Sequence, residues 1–435
     1  MINHIKKLLP KSIKTKLLPI KAKLVDNPKK RKLFLHMQNK HQELLQEIKG
    51  KEKIKVVFLA IHKSVWKVDP VFKKMLDDPY FEPLILVCPY VPYGRNRMLN
   101  DLKGCYDYFQ NKGYPVVNSY DEDNDKWVTL EEINPDIVFF TNPHNLTRKE
   151  YYEDAYLNYL SCYVPYSFDV SRYDNYVAQY NQVFHNAIWL IFAPHKADLD
   201  IYKSYSQGKS NNVVMSGYPF IESFFNKDRP LMVWKSQNKI KRKLIWAPHH
   251  TIDNPSLPYA SFLKIAEFMK SISLKFSSEV QFAFKPHPIL KSKLYIHPDW
   301  GKEKTDDYYS YWSNAGNTQY CDGEYIDLFL ESDAMIHDSG SFLAEYLFLS
   351  KPVLFTSNLE IECMKQFYNE FGLSALHSHY IAEGKEQKDK IELFIREVIT
   401  DEIEINKNHQ RFISDNKACN EASDFILNEI KNKAV

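Results

Sequence analysis

Three short polar clusters each follow an apolar, strand-like run in the second half of this 435-residue chain. Pro248-His249-His250-Thr251 follows residues 244–247 (LIWA), Lys285-Pro286-His287-Pro288 follows 280–284 (VQFAF), and Asp338-Ser339-Gly340-Ser341 follows 334–337 (AMIH). Ligands of open parallel sheets bind at the carboxyl ends of the strands, so the three clusters are predicted on one edge. The third leads into a predicted helix. Amides at a helix start, aided by its dipole, attract anions, Gly340 lets the chain turn tightly, and Ser339 and Ser341 add hydroxyl donors. Ordinary capping by Ser or Asp accounts for the same residues without a ligand. Glu345, one turn further, can accept from a ribose hydroxyl or simply face solvent. His287, fenced by prolines, can with Lys285 stabilise charge on a diphosphate or leaving phosphate, as can His249 and His250 from the neighbouring loop. The three histidines can also ligate a metal, but no spacing such as HExxH orders them, and no obligatory metal site is predicted.

These clusters need parallel strands to hold them. Runs at 54–61, 84–88, 136–140, 187–192 and 212–215 alternate with helix-like stretches, the signature of a doubly wound α/β domain ending near Gly217-Tyr218-Pro219. A polar, basic stretch at 235–243 resets the pattern. The second series has strands at 244–247, 280–284, 318–321, 334–337 and 352–355 and helices at 261–272, 325–331 and 341–349. A polar insertion rich in Tyr and Asp precedes residue 318, and helix runs from 388 to the end. The expectation is a basic extension over 1–50, a Rossmann-like acceptor domain over 51–235 and a Rossmann-like nucleotide-donor domain over 236–435, facing a cleft.

Composition fits that architecture. Hydrophobic residues make up 44% of the chain, enough to bury two large cores. The 57 basic and 55 acidic residues nearly cancel, which argues against a surface adapted to nucleic acid. The imbalance is local: between Lys6 and Lys32 the only acid is Asp26, and apolar residues interrupt the lysines. That segment reads as a solvated tail or as a contact with an anionic membrane leaflet. No apolar run reaches the roughly 18–20 residues that span a bilayer, and no signal-peptide stretch is expected. Six dispersed cysteines without a CxxC suit reduced thiols in a cytoplasm.

The succession APHH, KPHP and SDAMIHDSGSFLAEYLFLSKPVLF resembles the CDP-glycerol (or CDP-ribitol) polyol-phosphotransferase family of teichoic acid and capsule synthesis. Its pattern is a strand followed by APTWR, a later HP, and a TDYSS turn leading to a helix and KP. On this resemblance the HP histidine is His287 with Pro288, and the TDYSS turn is His337, Asp338, Ser339, Gly340 and Ser341. The closing KP is Lys351-Pro352, and Gly217-Tyr218-Pro219 is similar to the family's GYP at the domain junction. The similarity covers residues 212–356 and implies a GT-B fold, a CDP-linked donor and peripheral membrane attachment. Two features depart from the family. The APTWR loop reads Ala247-Pro248-His249-His250-Thr251, without arginine. The family's WHG is absent, the comparable Cys162-Tyr163-Val164-Pro165-Tyr166 having no histidine.

In the family's chemistry an acceptor hydroxyl attacks the β-phosphorus of a CDP-alcohol and CMP leaves, a transfer governed by positioning and charge neutralisation. A base in the N-terminal half would take the hydroxyl proton. His62, after the first strand, is preferred for its place towards the expected cleft. His144, after 136–140, is the other candidate, and both also read as loop or core histidines. The acidic run Asp121-Glu122-Asp123-Asn124-Asp125 contains a DxD spacing but reads as a solvated loop, and Tyr151, Tyr152, Tyr156 and Tyr159 read as packing. The resulting expectation is a cofactor-free enzyme moving glycerol- or ribitol-phosphate from a CDP-linked donor to a cell-surface polysaccharide or its lipid-linked precursor. It would act in the cytoplasm, at the inner face of the membrane. The missing arginine and WHG motivate an alternative, a GT-B glycosyltransferase using a nucleotide sugar for capsule or lipopolysaccharide. A 2-epimerase of UDP-N-acetylglucosamine, whose TDSGG is similar to HDSGS, and a non-catalytic scaffold are further readings.

Overall fold

The computed structural model describes residues 22–172, 176–225, 233–254 and 257–434. The basic segment read as a membrane contact lies, up to residue 21, outside the described residues. Two compact units form: residues 1–166, 174–216 and 422–435, and residues 167–173 and 217–421.

The first unit is built on β1 (Ile54–Ala60), β2 (Phe81–Val87), β3 (Val116–Asn118), a hairpin of β4 (Tyr120–Asp121) and β5 (Lys126–Trp127), then β6 (Ile137–Phe140), β7 (Leu160–Tyr163), β8 (Leu190–Ala193) and β9 (Val213–Met215). Its seven-stranded sheet runs β3-β2-β1-β6-β7-β8-β9, every pairing parallel. Helices cover both faces, so the central strands are continuous apolar runs rather than alternating ones. Phe58 and Phe139, partners in register, stack at 4.6 Å between ring centres. β3 and β7 escape the apolar-run criterion because one has three residues and the other carries Ser161, whose hydroxyl accepts the Trp189 amide at 3.3 Å. Of the run 187–192, only Leu190 onward is strand; Ala187 and Ile188 close a turn on Phe184.

The boundaries expected for this half need correction. The helix Asn27–Ile48 is no separate extension: Phe34, Met37, His41 and Ile48 are buried in the first unit. Nor does the second unit extend to the C-terminus. The helix Ala422–Ala434 packs on Asp69–Asp77, burying Ile426 and Ile430, with Lys74–Asp424 (2.5 Å) and Lys431–Asp78 ion pairs at its edges. The acidic run is the turn of the β4–β5 hairpin. Asp121 accepts the Asp123 and Asn124 amides, and Asp125, at φ 48°, accepts the Tyr120 hydroxyl at 2.6 Å.

The second unit comprises β10 (Arg242–Ala247), β11 (Val280–Phe284), β12 (Thr318–Tyr320), β13 (Ala334–His337), β14 (Val353–Ser357) and β15 (Tyr380–Glu383). Their order is β12-β11-β10-β13-β14-β15, again all parallel, the doubly wound order of dinucleotide-binding sheets. The polar insertion before β12 is helical, over Leu290–Ile296 and Gly301–Asn314. Its tyrosines face inward: Tyr308 and Trp312 pack around Trp246 and Phe284 on the sheet. Each buried ring contributes on the order of 2–3 kcal/mol by leaving water. Gly217 of the GYP motif is conformationally required, at φ +81° with the Ala418 carbonyl 2.4 Å from where a Cβ would stand. Among the described residues no helix is long and apolar enough to cross a membrane.

Candidate functional site

Strand order in the second unit reverses at β10, between β11 and β13. The crevice beyond the carboxyl ends there is where doubly wound sheets bind ligands. Ala247 of β10 pairs in register with His337 of β13, so the polar residues following both strands emerge side by side. The β11 loop joins them through the His287 amide, which donates to Pro248 O at 3.0 Å. The rings of His249, His250 and His287 then cluster, with centroids 4.1 Å (His250–His287), 4.4 Å (His249–His250) and 5.2 Å (His249–His287) apart.

Asp338 ties the loops together. It is 1% exposed and accepts from the His249 amide (2.5 Å), the Ser261 amide (2.5 Å) and the Ser261 hydroxyl (2.7 Å). Burial pushes its carboxyl up to about 6, opposed by those hydrogen bonds. Expected as a ligand contact, Asp338 instead holds the loops in place. Glu345 differs in the same direction. It is 1% exposed rather than on a solvated face, and Tyr325 Oη donates to it at 2.5 Å. Lys285 Nζ donates to the Gly323 carbonyl at 2.8 Å, and its proximity helps to lower His287. Lys351 of the KP pair closes a helix end, donating to the carbonyls of Phe329 (2.9 Å), Leu330 (2.6 Å) and Ser332 (2.6 Å).

The turn itself is held from behind. His337 and His379 are buried and face each other Nε2 to Nε2 at 3.0 Å. Ser339 N–H donates to His337 Nδ1 at 3.1 Å, and His379 Nδ1 lies 2.8 Å from the Ala375 carbonyl. Gly340 has no positive φ, and a Cβ there would meet Tyr259 at an ordinary 3.5 Å, so the backbone does not demand glycine as expected. Among the described residues no acceptor takes the amides of Gly340 and Ser341, which precede the helical stretch Phe342–Leu349.

Electrostatically the histidine cluster suits an anion. Burial, with neighbouring imidazoles and Lys293, pushes His249 down to about 2; burial and Lys293 push His250 to about 4. His287 is pushed to about 3 by burial, His250, Lys285 and Lys293. All three rings are neutral at pH 7. His287 Nδ1 accepts the Ile289 amide at 3.2 Å, which leaves the ring proton on Nε2 as an outward donor. One ring nitrogen of each histidine lies within 4.8 Å of the others, close enough to consider a cation. Two nearby lysines and the lone pair already engaged on His287 favour phosphate oxygens instead.

In the first unit, His62 and His144 follow β1 and β6, the two strands at that sheet's own reversal. His62 Nδ1 caps the turn after β1, accepting the Ser64 amide at 3.2 Å beside the Ser64 hydroxyl at 2.7 Å. His144 Nδ1 meets Gln182 Nε2 at 3.3 Å. Burial lowers both. Tyr151, Tyr152 and Tyr156 are core residues, as read. Sequence reasoning missed Ser261 and His379. The first is a plain serine before a helix, and the second a lone histidine with no motif around it.

Residues 169–372 match the family described as CDP-glycerol:poly(glycerophosphate) glycerophosphotransferase, so the resemblance read from the loops holds. No curated protein sequence matches the chain. Among solved structures, the wall teichoic acid polymerase TagF, soaked with CDPG, aligns with a TM-score of 0.54 at 14% identity over 98% of each chain. The UDP-GlcNAc 2-epimerase from Neisseria meningitidis, bound to UDP-GlcNAc, aligns at 0.52 and 14% over 87% of this chain and 100% of that one. S. aureus MnaA with UDP gives 0.53 and 16% over 87% and 96%. At such identities these likenesses show the fold, an α/β architecture of the GT-B type with two Rossmann-like sheets.

Proposed function

We propose, from the match of residues 169–372 to the glycerophosphotransferase family, that this chain is a transferase moving a polyol-phosphate from a CDP-linked donor to a teichoic-acid-type polymer. The observation that carries the reading is the convergence of three loops on unengaged, anion-seeking donors beyond β10, β11 and β13. A diphosphate there meets His287 Nε2–H, the Gly340 and Ser341 amides and the nearby lysine charge, while His249 and His250 line the approach. The acceptor oxygen forms a bond to the β-phosphorus as its bond to the bridging oxygen breaks. CMP leaves with that oxygen, and the acceptor proton passes to a base. Donors aimed at the bridging and terminal oxygens stabilise the charge that builds there, and the neutral His287 strengthens as that charge grows.

His62 remains the preferred base, since it ends a strand at the reversal of the first sheet. Here Nδ1 accepts the Ser64 amide and Nε2 carries the ring proton, so to act as base His62 must release that cap and move its proton to Nδ1, which bares Nε2. The site lies in the cytoplasm at the inner membrane face, with the basic N-terminal segment on anionic lipid. Lys29 and Lys32, on the outer face of the helix Asn27–Ile48 beside exposed Leu35, extend that charge into the described residues. Incubation with CDP-glycerol or CDP-ribitol and a polymer acceptor should release CMP. Absence of release with either donor and any acceptor overturns the reading.

The missing APTWR arginine favours one second reading, a nucleotide-sugar glycosyltransferase on the same edge. Thermal stabilisation by UDP or GDP but not CDP would select it.

A further inference from the structure

The paired imidazoles behind the donor turn are used by no step above, and their protons can be assigned without ambiguity. The Ala375 carbonyl only accepts, so His379 Nδ1 carries hydrogen. The Ser339 amide only donates, so His337 Nδ1 is bare. Each neutral ring has one proton, which leaves His337 Nε2 protonated and His379 Nε2 bare. These are complementary partners at 3.0 Å. One directed relay therefore runs from the Ser339 amide through His337 and His379 to the Ala375 carbonyl, near the end of the helix Glu370–His377. The groups against it are Phe355, perpendicular to both rings, with His249 close enough to act on His337 and His409 on His379. Among the described residues no carboxylate acts on either ring.

We propose that His379, acting through His337, is a positioning residue that fixes the direction of the Ser339 peptide and so aims the Gly340 and Ser341 amides at the donor diphosphate. This rests on the donor site proposed above. Asp338 anchors the residue before this peptide through its side chain; beyond it, among the described residues, Gly340 adopts no glycine-only conformation and Ser341 provides no side-chain cap, which leaves the His337 ring as the group that holds the Ser339 amide itself. A peptide held by a ring that is itself held by a second ring has one orientation, and the cost of orienting it is met during folding rather than on binding. Charging either ring would set two N–H groups against each other, so the relay works only while both are neutral.

Substitution separates positioning from packing. His379→Ala leaves the His337 Nε2 proton without an acceptor and frees that ring, whereas His379→Gln can offer a side-chain carbonyl in its place. In the free protein, amide hydrogen exchange at Ser339 should rise in His379→Ala and return towards wild type in His379→Gln, with both variants folded by circular dichroism. Calorimetric affinity for CDP should fall about tenfold in the first and recover in the second. Unchanged Ser339 exchange in His379→Ala overturns the proposal, as does a Gln variant no better than Ala at equal thermal stability. Should the wild type not bind CDP, the donor reading fails, while the exchange measurement still decides whether the relay orients the turn.

Discussion

The two sheets reverse strand order in the same way, yet they treat the polar residues at that reversal differently. Beyond β10 and β13, side chains from several loops are locked into one network by Asp338 and the His337–His379 relay. Beyond β1 and β6, the polar residues make separate contacts that do not join into a network. His62 caps the turn it begins, His144 meets Gln182, Asn142 accepts the His144 amide at 2.8 Å, and the buried Thr141 hydroxyl has no partner among the described residues. The second unit thus presents a site assembled before any ligand arrives. In the first, only positions are set. Preorganisation belongs where charge is neutralised, because donors that need not reorient contribute most to the transition state.

Substitutions can break this contrast, beginning with the strongest. His287→Ala removes an outward donor on a half-exposed loop. We expect CMP release to fall roughly 10³-fold with thermal stability nearly unchanged, as read by steady-state kinetics beside a melting curve. Asp338→Ala strands three buried donors and should cost about 3 kcal/mol or more by denaturant unfolding; a loss under about 1 kcal/mol would show that the loops do not depend on it. Lys351→Met leaves three helix-end carbonyls without their cation and should cost about 2 kcal/mol by the same measurement. At the other reversal, His62→Ala removes only a local cap and should cost about 1 kcal/mol at most. If His62 is the base, CMP release nevertheless drops roughly 10²-fold or more while CDP affinity holds.

Acid sharpens the same comparison from the side of stability. Burial, together with the charges of His144 and Lys30, pushes His185 in the first unit down to about 3; burial does the same to His379 in the second. Both values lie below the roughly 6.5 of an unfolded histidine. The unfolded chain therefore binds more protons between those limits, and stability is full above about pH 6.5 and falls as pH drops towards 3. Acid titration by circular dichroism should show this, and His185→Phe should move the midpoint lower.

The strands were legible wherever burial on both faces produced an unbroken apolar run, as in β1, β11 and β13. They were not legible where strands are short or carry a polar residue, as in β3, β7 and β15. The polar clusters were found because each follows such a run, and adjacent parallel strands bring their ends together. What each residue does there was harder to read. Asp338 and Glu345 look like ligand contacts in sequence because nothing local reveals that Ser261 and Tyr325 arrive from distant segments to bind them. His379 was invisible for the same reason. Its partner lies 42 positions away, and no spacing rule connects the two.

A crystal structure of the protein soaked with CDP tests the donor site most directly. The diphosphate should lie against His287 Nε2 and the Gly340 and Ser341 amides, with the 249–250 loop beside it. A diphosphate bound elsewhere, or touching only one of the three loops, would contradict a preassembled donor site at this edge.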